Sequence, residues 1–224
     1  MLDVGCSPAA ILMLATSLAA QATDPIVRAG FGDGWETRWE EVQLDQRVNR
    51  FEPIREDGRP VLRVESDGSA SALSYMLELA PETVGAISWS WKVESAIGHD
   101  RSEREKAGDD YAARFFVIFD DEPFSRGARA ICYVWAGAEP VRATFRNPYI
   151  SEVATIVLQS GDDRAGVWIT EERDVLADYV AAFDERPERI TGVAVMVDTD
   201  DTGTHATAWF GEVRVWPREA ADGN

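Results

Sequence analysis

Two short acidic stretches and one aromatic run hold the residues best suited to chemistry in this chain. "VMVDTDDTGTH", Val195 to His205, places three aspartates within four residues, after an apolar run and just before a histidine. Asp198, Asp200 and Thr202 alternate and Gly203 follows, a spacing of oxygen donors that can wrap a hard cation such as calcium. An EF-hand requires a glutamate at loop position twelve. Counted from Asp198, that position is Trp209, which excludes the pattern. The same residue types also build an ordinary polar turn. Two carboxylates held close repel each other unless something positive lies between them, and the candidates are a divalent cation and Arg114. Calcium takes about six to eight oxygen ligands and this loop offers only a few, so the arginine is favoured and calcium is the alternative.

"GDDYAAR", Gly108 to Arg114, supplies that arginine at the head of a run otherwise too apolar for a charge. An unpaired buried guanidinium is costly, so Arg114 must reach solvent or a carboxylate. Asp110 shares its strand parity, and the aspartates of the 198–201 loop are the other candidate partners. In "ICYVWAG", Tyr133 and Trp135 share one strand face and Cys132 and Val134 the other. Sugar rings stack their apolar faces on aromatic rings and present hydroxyls to charged or amide groups. Lys92, Asp110, Arg114, Tyr133 and Trp135 are therefore the candidate ligand-binding set, with Asp198 and Asp200 as the candidate metal-holding or orienting pair. The competing reading of the eight tryptophans is core packing, strongest for Trp89 and Trp91.

Catalytic signals are sparse. The only histidines are His99 and His205, and no neighbouring residue fixes either ring. A pair of carboxylates can hydrolyse a glycoside, but 40 acidic residues single out no pair. Nucleophile-elbow, P-loop, zinc-protease and dinucleotide fingerprints do not occur.

Alternation dominates the elements that must carry these residues. "PVLRVES" sets Leu62 and Val64 against Arg63 and Glu65; "ALSYMLEL" aligns Leu73, Tyr75, Leu77 and Leu79; "AISWSWKV" aligns Ile87, Trp89, Trp91 and Val93. A period of two marks strands with one buried face. "YAARFFVIF", "VATIVLQS" and "ITGVAVMV" are apolar on both faces and read as central strands covered on both sides. Gly211, inside the last run "HATAWFGEVRVW", signals a bulge. One amphipathic helix is expected around 171–183, with Thr170 as N-cap. "ESAIGHDRSEREKAGDD", residues 94–110, has no apolar period and reads as a long loop, a length associated with function or disorder. The expected fold is all-β: a two-sheet, jelly-roll-like sandwich with one lateral helix.

The net charge of −18 repels phosphate backbones and anionic lipid, which argues against nucleic acid as a partner. "SPAAILMLATSLAAQA" has the apolar core and small-residue end of a signal peptide, although no Lys or Arg precedes Arg28. The expected organisation is a leader over residues 1–22 and one sandwich domain over 23–224, periplasmic or secreted, with no membrane insertion after cleavage. Cleavage removes Cys6 and leaves Cys132, which reads as a small buried hydrophobe. Nothing in the chain specifies an oligomeric state.

Several motifs then occur in a fixed order: "WSWKV", "AGDDYAARFFVIFD", "YVWA", "NPY", "LQSG", Trp168 before "ERDVLADYVAAF", and "VAVMVDTDDTG" before "FGEVRV". From about Phe31 onward the set resembles an uncharacterised family of exported bacterial proteins, a domain of unknown function. The resemblance implies an exported β-sandwich and supplies neither an activity nor a catalytic residue. "FGDGW" and "WFGEVRVW" also look like the ends of carbohydrate-binding jelly rolls, a likeness of fold alone. The expected function is non-catalytic binding of a small or polymeric ligand, with carbohydrate the leading class. The alternatives are a carbohydrate-active hydrolase or lyase and a structural envelope protein.

Overall fold

The period-two runs form strands, and their inward faces make the core. The computed structural model describes residues 23–125 and 127–219; the expected leader lies outside the described residues. In chain order the strands are β1 (Val27–Ala29), β2 (Trp39–Gln43), β3 (Arg50–Glu56), β4 (Arg59–Asp67), β5 (Ala70–Leu79), β6 (Val84–Val93), β7 (Ala113–Phe119), β8 (Arg129–Ala136), β9 (Thr144–Arg146), β10 (Val153–Ser160), β11 (Ile169–Arg173), β12 (Ile190–Asp198), β13 (His205–Phe210) and β14 (Val213–Pro217), with one helix, α1 (Val175–Phe183). They build two sheets of seven strands, so the fold is a β-sandwich. Sheet A runs β1-β14-β6-β13-β4-β3, with β11 on the other edge of β6; sheet B runs β2-β5-β12-β7-β8-β10-β9. No helix among the described residues is long and apolar enough to cross a membrane.

The sheets meet through the faces that the alternation marks. Leu62, Val64, Ile87, Trp89, Trp91 and Val93 of sheet A pack against Leu73, Phe115, Val117, Tyr133, Trp135 and Val195 of sheet B. Trp89 stacks on Phe115 with ring centroids 4.0 Å apart, and Trp91 meets Trp135 edge-on at 6.1 Å. Arginines, glutamates and Lys92 on the outer face of sheet A remain partly or fully exposed. Sheet B differs: β7 and β12 are buried along their whole length on both faces, as expected of central strands. Its second face carries a smaller apolar cluster that includes Phe116, Ile118, Cys132, Val134, Met196 and Tyr111.

Three local features differ from, or sharpen, the sequence reading. Thr170 does not cap the helix. It lies in β11 opposite Ser90, because the free edge of β6 offers a ladder of backbone partners to residues 169–173. Tertiary pairing overrides the helical preference of "TEER" there. The cap is Asp174, whose carboxylate accepts the Ala177 N–H at 3.0 Å. Gly211 interrupts the last run as expected and separates β13 from β14; a Cβ there would collide with the Ser90 hydroxyl.

The segment 94–110 is ordered by its own contacts. Glu103, 2 % exposed, lays its carboxylate across a backbone turn and accepts the N–H groups of Gly137 at 2.5 Å, Ala138 at 3.1 Å and Glu139 at 3.0 Å. Arg104 forks onto Glu139 at 2.9 and 2.7 Å, and Arg101 donates to the carbonyls of Ala107 at 2.9 Å and Asp201 at 2.8 Å. A side chain at Gly137 would meet the Ile97 carbonyl, so glycine lets this strap lie flat on the sheet edge.

Candidate functional site

The second face of sheet B builds a groove from strand parity. Phe116 and Ile118 of β7, Met196 of β12 and Ala130 of β8 point away from the inter-sheet core because their neighbours Phe115, Val117, Val195 and Ile131 point into it. With loop residues they enclose a groove of about 340 Å³. Its rim carries Tyr149 and Ile150, 51 % and 52 % exposed. Asp109, Arg114, Asn147, Asp200 and Asp201 line its polar part.

Arg114 organises that polar part. Its Nε donates to Asp198 Oδ1 at 2.8 Å and its Nη2 to Asp198 Oδ2, a two-pronged pair with each side chain at most 5 % exposed. Nη2 also reaches the Asp109 carbonyl and lies 3.4 Å from Asp109 Oδ2. The guanidinium covers the Tyr111 ring at 4.4 Å, and the Tyr111 N–H donates to Asp198 Oδ1 at 3.1 Å. Asp109 Oδ2 accepts from Asn147 Nδ2 at 2.7 Å, while Asp109 Oδ1 is buried with no partner among the described residues. An unmatched buried acceptor of this kind is uncommon and marks a place where a donor is wanted.

The turn that follows β12 sends its aspartates in different directions. The strand ends at Asp198, and the Gly203 N–H closes the turn onto the Thr199 carbonyl at 2.9 Å, with Gly203 at φ 66°. Asp200 therefore leaves the parity of Asp198 and joins Asp110 and Asp201, one oxygen of each lying within 4.8 Å of the others. Asp110 is already satisfied by the N–H groups of Thr202 at 2.7 Å and Asp201 at 3.3 Å. The Tyr149 hydroxyl donates to Asp201, and Lys106 lies over the Tyr149 ring at 4.8 Å.

Electrostatics in this region set burial, which disfavours charge on the acids, against the Arg114 guanidinium, which favours it. Burial raises the Asp198 carboxyl, while the Arg114 guanidinium, forked onto both of its oxygens, pulls it back and holds the pair ionised. Burial also raises Asp109, again opposed by Arg114, and raises Asp200, where the Asp110 charge adds to it. Burial opposes the charge of Arg114 too, but Asp109 and Asp198 outweigh it and hold the guanidinium protonated. Burial lifts the Cys132 thiol to about 12, so the sulfur behaves as an inert apolar group.

Residues 37–214 match the family model described as "Protein of unknown function (DUF3047)". The chain belongs to this family. The DUF3047 region contains every residue named above as lining the groove. No curated protein matches the chain in sequence. Among solved structures, the xyloglucanase domain of NopAA, a type three effector from Sinorhizobium fredii in complex with cellobiose, has a TM-score of 0.47 at 11 % identity, over 80 % of this chain and 93 % of that one. The family 11 carbohydrate-binding module of cellulosomal cellulase Lic26A-Cel5E from Clostridium thermocellum has a TM-score of 0.44 at 9 % identity, over 92 % and 100 %. Endoglucanase cel12A from Rhodothermus marinus has a TM-score of 0.44 at 11 % identity, over 81 % and 93 %.

The residues singled out in the sequence fall into three places. Arg114, Asp198 and Asp200 line the groove, and Asp110 lies beside it. Tyr133 and Trp135 are fully buried between the sheets, where Tyr133 donates to Asp178 at 2.6 Å and Trp135 to the Gly161 carbonyl at 3.0 Å. Lys92 lies on sheet A, paired with Glu56 at 2.5 Å and 4.4 Å from the Trp209 ring, so it does not share a cleft with Arg114. His205 is exposed at the start of β13, with Thr207 as its hydrogen-bond neighbour at 3.4 Å. Asp109, Asn147 and Tyr149 were not singled out. "NPY" was the available signal for the last two, since an amide and an aromatic two residues apart suit a sugar.

Proposed function

We propose that the groove on sheet B binds a neutral carbohydrate without turning it over. The observation that carries this reading is Asp109 Oδ1, a buried acceptor without a partner in the polar part of the groove. A ligand hydroxyl supplies the missing donor. The floor of Phe116, Ile118 and Met196 and the exposed Tyr149 ring suit the apolar face of a sugar. Arg114 is a positioning residue: it holds Asp109 and Asp198 in place and does not itself offer an exposed fork. The excess of carboxylates around the groove disfavours an anionic ligand there. Titration calorimetry with a panel of neutral oligosaccharides tests the reading. Binding weakened at least tenfold by both Asp109→Asn and Tyr149→Ala, with no new reducing ends after long incubation, supports it. Absence of heat and of thermal stabilisation across the panel overturns it.

A glycoside hydrolase is the second reading, favoured by the raised Asp109 carboxyl. Burial keeps its proton to higher pH, the property required of a general acid, and Asp200 and Asp201 are the other acids on the groove wall. Release of reducing ends, lost in Asp109→Asn, selects it over the binder. We also propose export, with a mature N-terminus near Thr23. Mass spectrometry of the protein from its native host tests this, and an intact cytoplasmic chain beginning at Met1 overturns it.

A further inference from the structure

The outer face of sheet A holds a second recess, of about 460 Å³, whose chemistry is the reverse of the first. Its charged lining consists of Arg28, Arg38, Arg59, Arg214 and a single carboxylate, Glu212. Glu212 is shared by Arg28 at 3.2 Å and Arg214 at 2.7 Å. Arg38 and Arg59 have no carboxylate within ion-pair distance among the described residues. This concentration of cations occurs in a chain of net charge −18, so an anion approaching the molecule is repelled elsewhere and drawn here.

The neutral lining adds more donors. The hydroxyls of Ser90 and Thr170 border the recess, and the Trp168 indole N–H is buried without an acceptor. Gly30, Gly32 and Gly211 contribute no side chains, which keeps the recess open to the strand backbone. Donors thus outnumber acceptors, and the one strong acceptor is already used twice. Trp168, with Pro60 and Val61, adds apolar surface. We infer that this recess binds an organic anion, with a carboxylate or phosphate group held by Arg38 and Arg59 and its body against Trp168. Arginine suits such groups because its planar fork matches two oxygens at once.

The experiment follows the Trp168 indole resonance of the full chain during titration with glucuronate, glucose 6-phosphate and glucose, the resonance being assigned by its loss in Trp168→Phe. Saturable shifts are expected with one or both anions and none with glucose; the stronger of the two identifies carboxylate or phosphate as the preferred group. Arg38→Ala combined with Arg59→Ala should raise the dissociation constant at least tenfold while leaving the melting temperature unchanged, since both side chains are exposed. Equal response to glucose, no response to either anion, or an anion response untouched by the double substitution overturns the inference. Because the recess takes an anion and shares no lining residue with the sheet B groove, failure here leaves the sheet B reading standing.

Discussion

The outer faces of the two sheets handle charge in opposite ways. On sheet A, Arg63 and Glu65 pair at 2.6 Å with side chains 27 % and 25 % exposed, one of several pairs along an alternating, water-facing surface. On sheet B, Arg114 and Asp198 form the same kind of pair at 4 % and 5 % exposed, against the Tyr111 ring and Asp109. Water and salt screen the first pair, whereas the second has exchanged its hydration for protein contacts. The first therefore tunes a surface, and the second decides whether the groove has a defined shape.

Four changes test that contrast. The largest effect belongs to Asp198→Ala, which leaves the buried guanidinium with Asp109 as its nearest carboxylate. Chemical denaturation at neutral pH should show a loss of about 3–5 kcal/mol. Replacing both members, Arg114→Met with Asp198→Leu, removes the stranded charge. It should recover most of that loss, and a double variant no more stable than Asp198→Ala would remove the ion-pair account.

The third change concerns pH. The folded Asp200 carboxyl is raised, so the folded state holds its proton more readily than the unfolded state does. Its contribution to stability is present at low pH and is lost as pH rises from the ordinary value of 3.8 through the folded value. Asp200→Asn should accordingly be more stable than the parent at pH 7, with the advantage disappearing below about pH 4. Because Asp200 is solvent-exposed, screening keeps the gain under about 1 kcal/mol. Melting curves across that range would oppose this account if the gain grew on acidification.

The smallest effect is expected from Arg63→Ala. The pair with Glu65 should contribute about 0.2–1 kcal/mol, and less in high salt. A salt-insensitive loss as large as that of Asp198→Ala would erase the distinction between the faces.

Tyr133 and Trp135 show why the groove was harder to read than the strands. Both faces of β8 are apolar, so alternation separates Tyr133 and Trp135 from Cys132 and Val134 without saying which pair looks inward. The choice follows from sheet A, where Trp89 and Trp91 supply aromatic partners for the larger rings. Asp110 illustrates a second limit. Its parity with Arg114 holds only in extended chain, and β7 begins at Ala113, so the irregular backbone at 109–112 brings Asp109 to the arginine and Asp110 to Thr202.

The sequence by itself determined the all-β class, the inward faces of β4, β5 and β6, the break at Gly211 and the need of Arg114 for a carboxylate. Each of these rests on local chemistry: side-chain alternation, the space available at one residue, or the cost of an unpaired charge. Tertiary structure decided which carboxylate answered Arg114, which acceptor stayed unmatched, and that Glu103 pins the strap. It also turned residues 169–173 into an edge strand. Those outcomes depend on residues far apart in the chain, such as Arg114 and Asp198 or Glu103 and Gly137, and only the stacking of the strands brings such groups within hydrogen-bond reach.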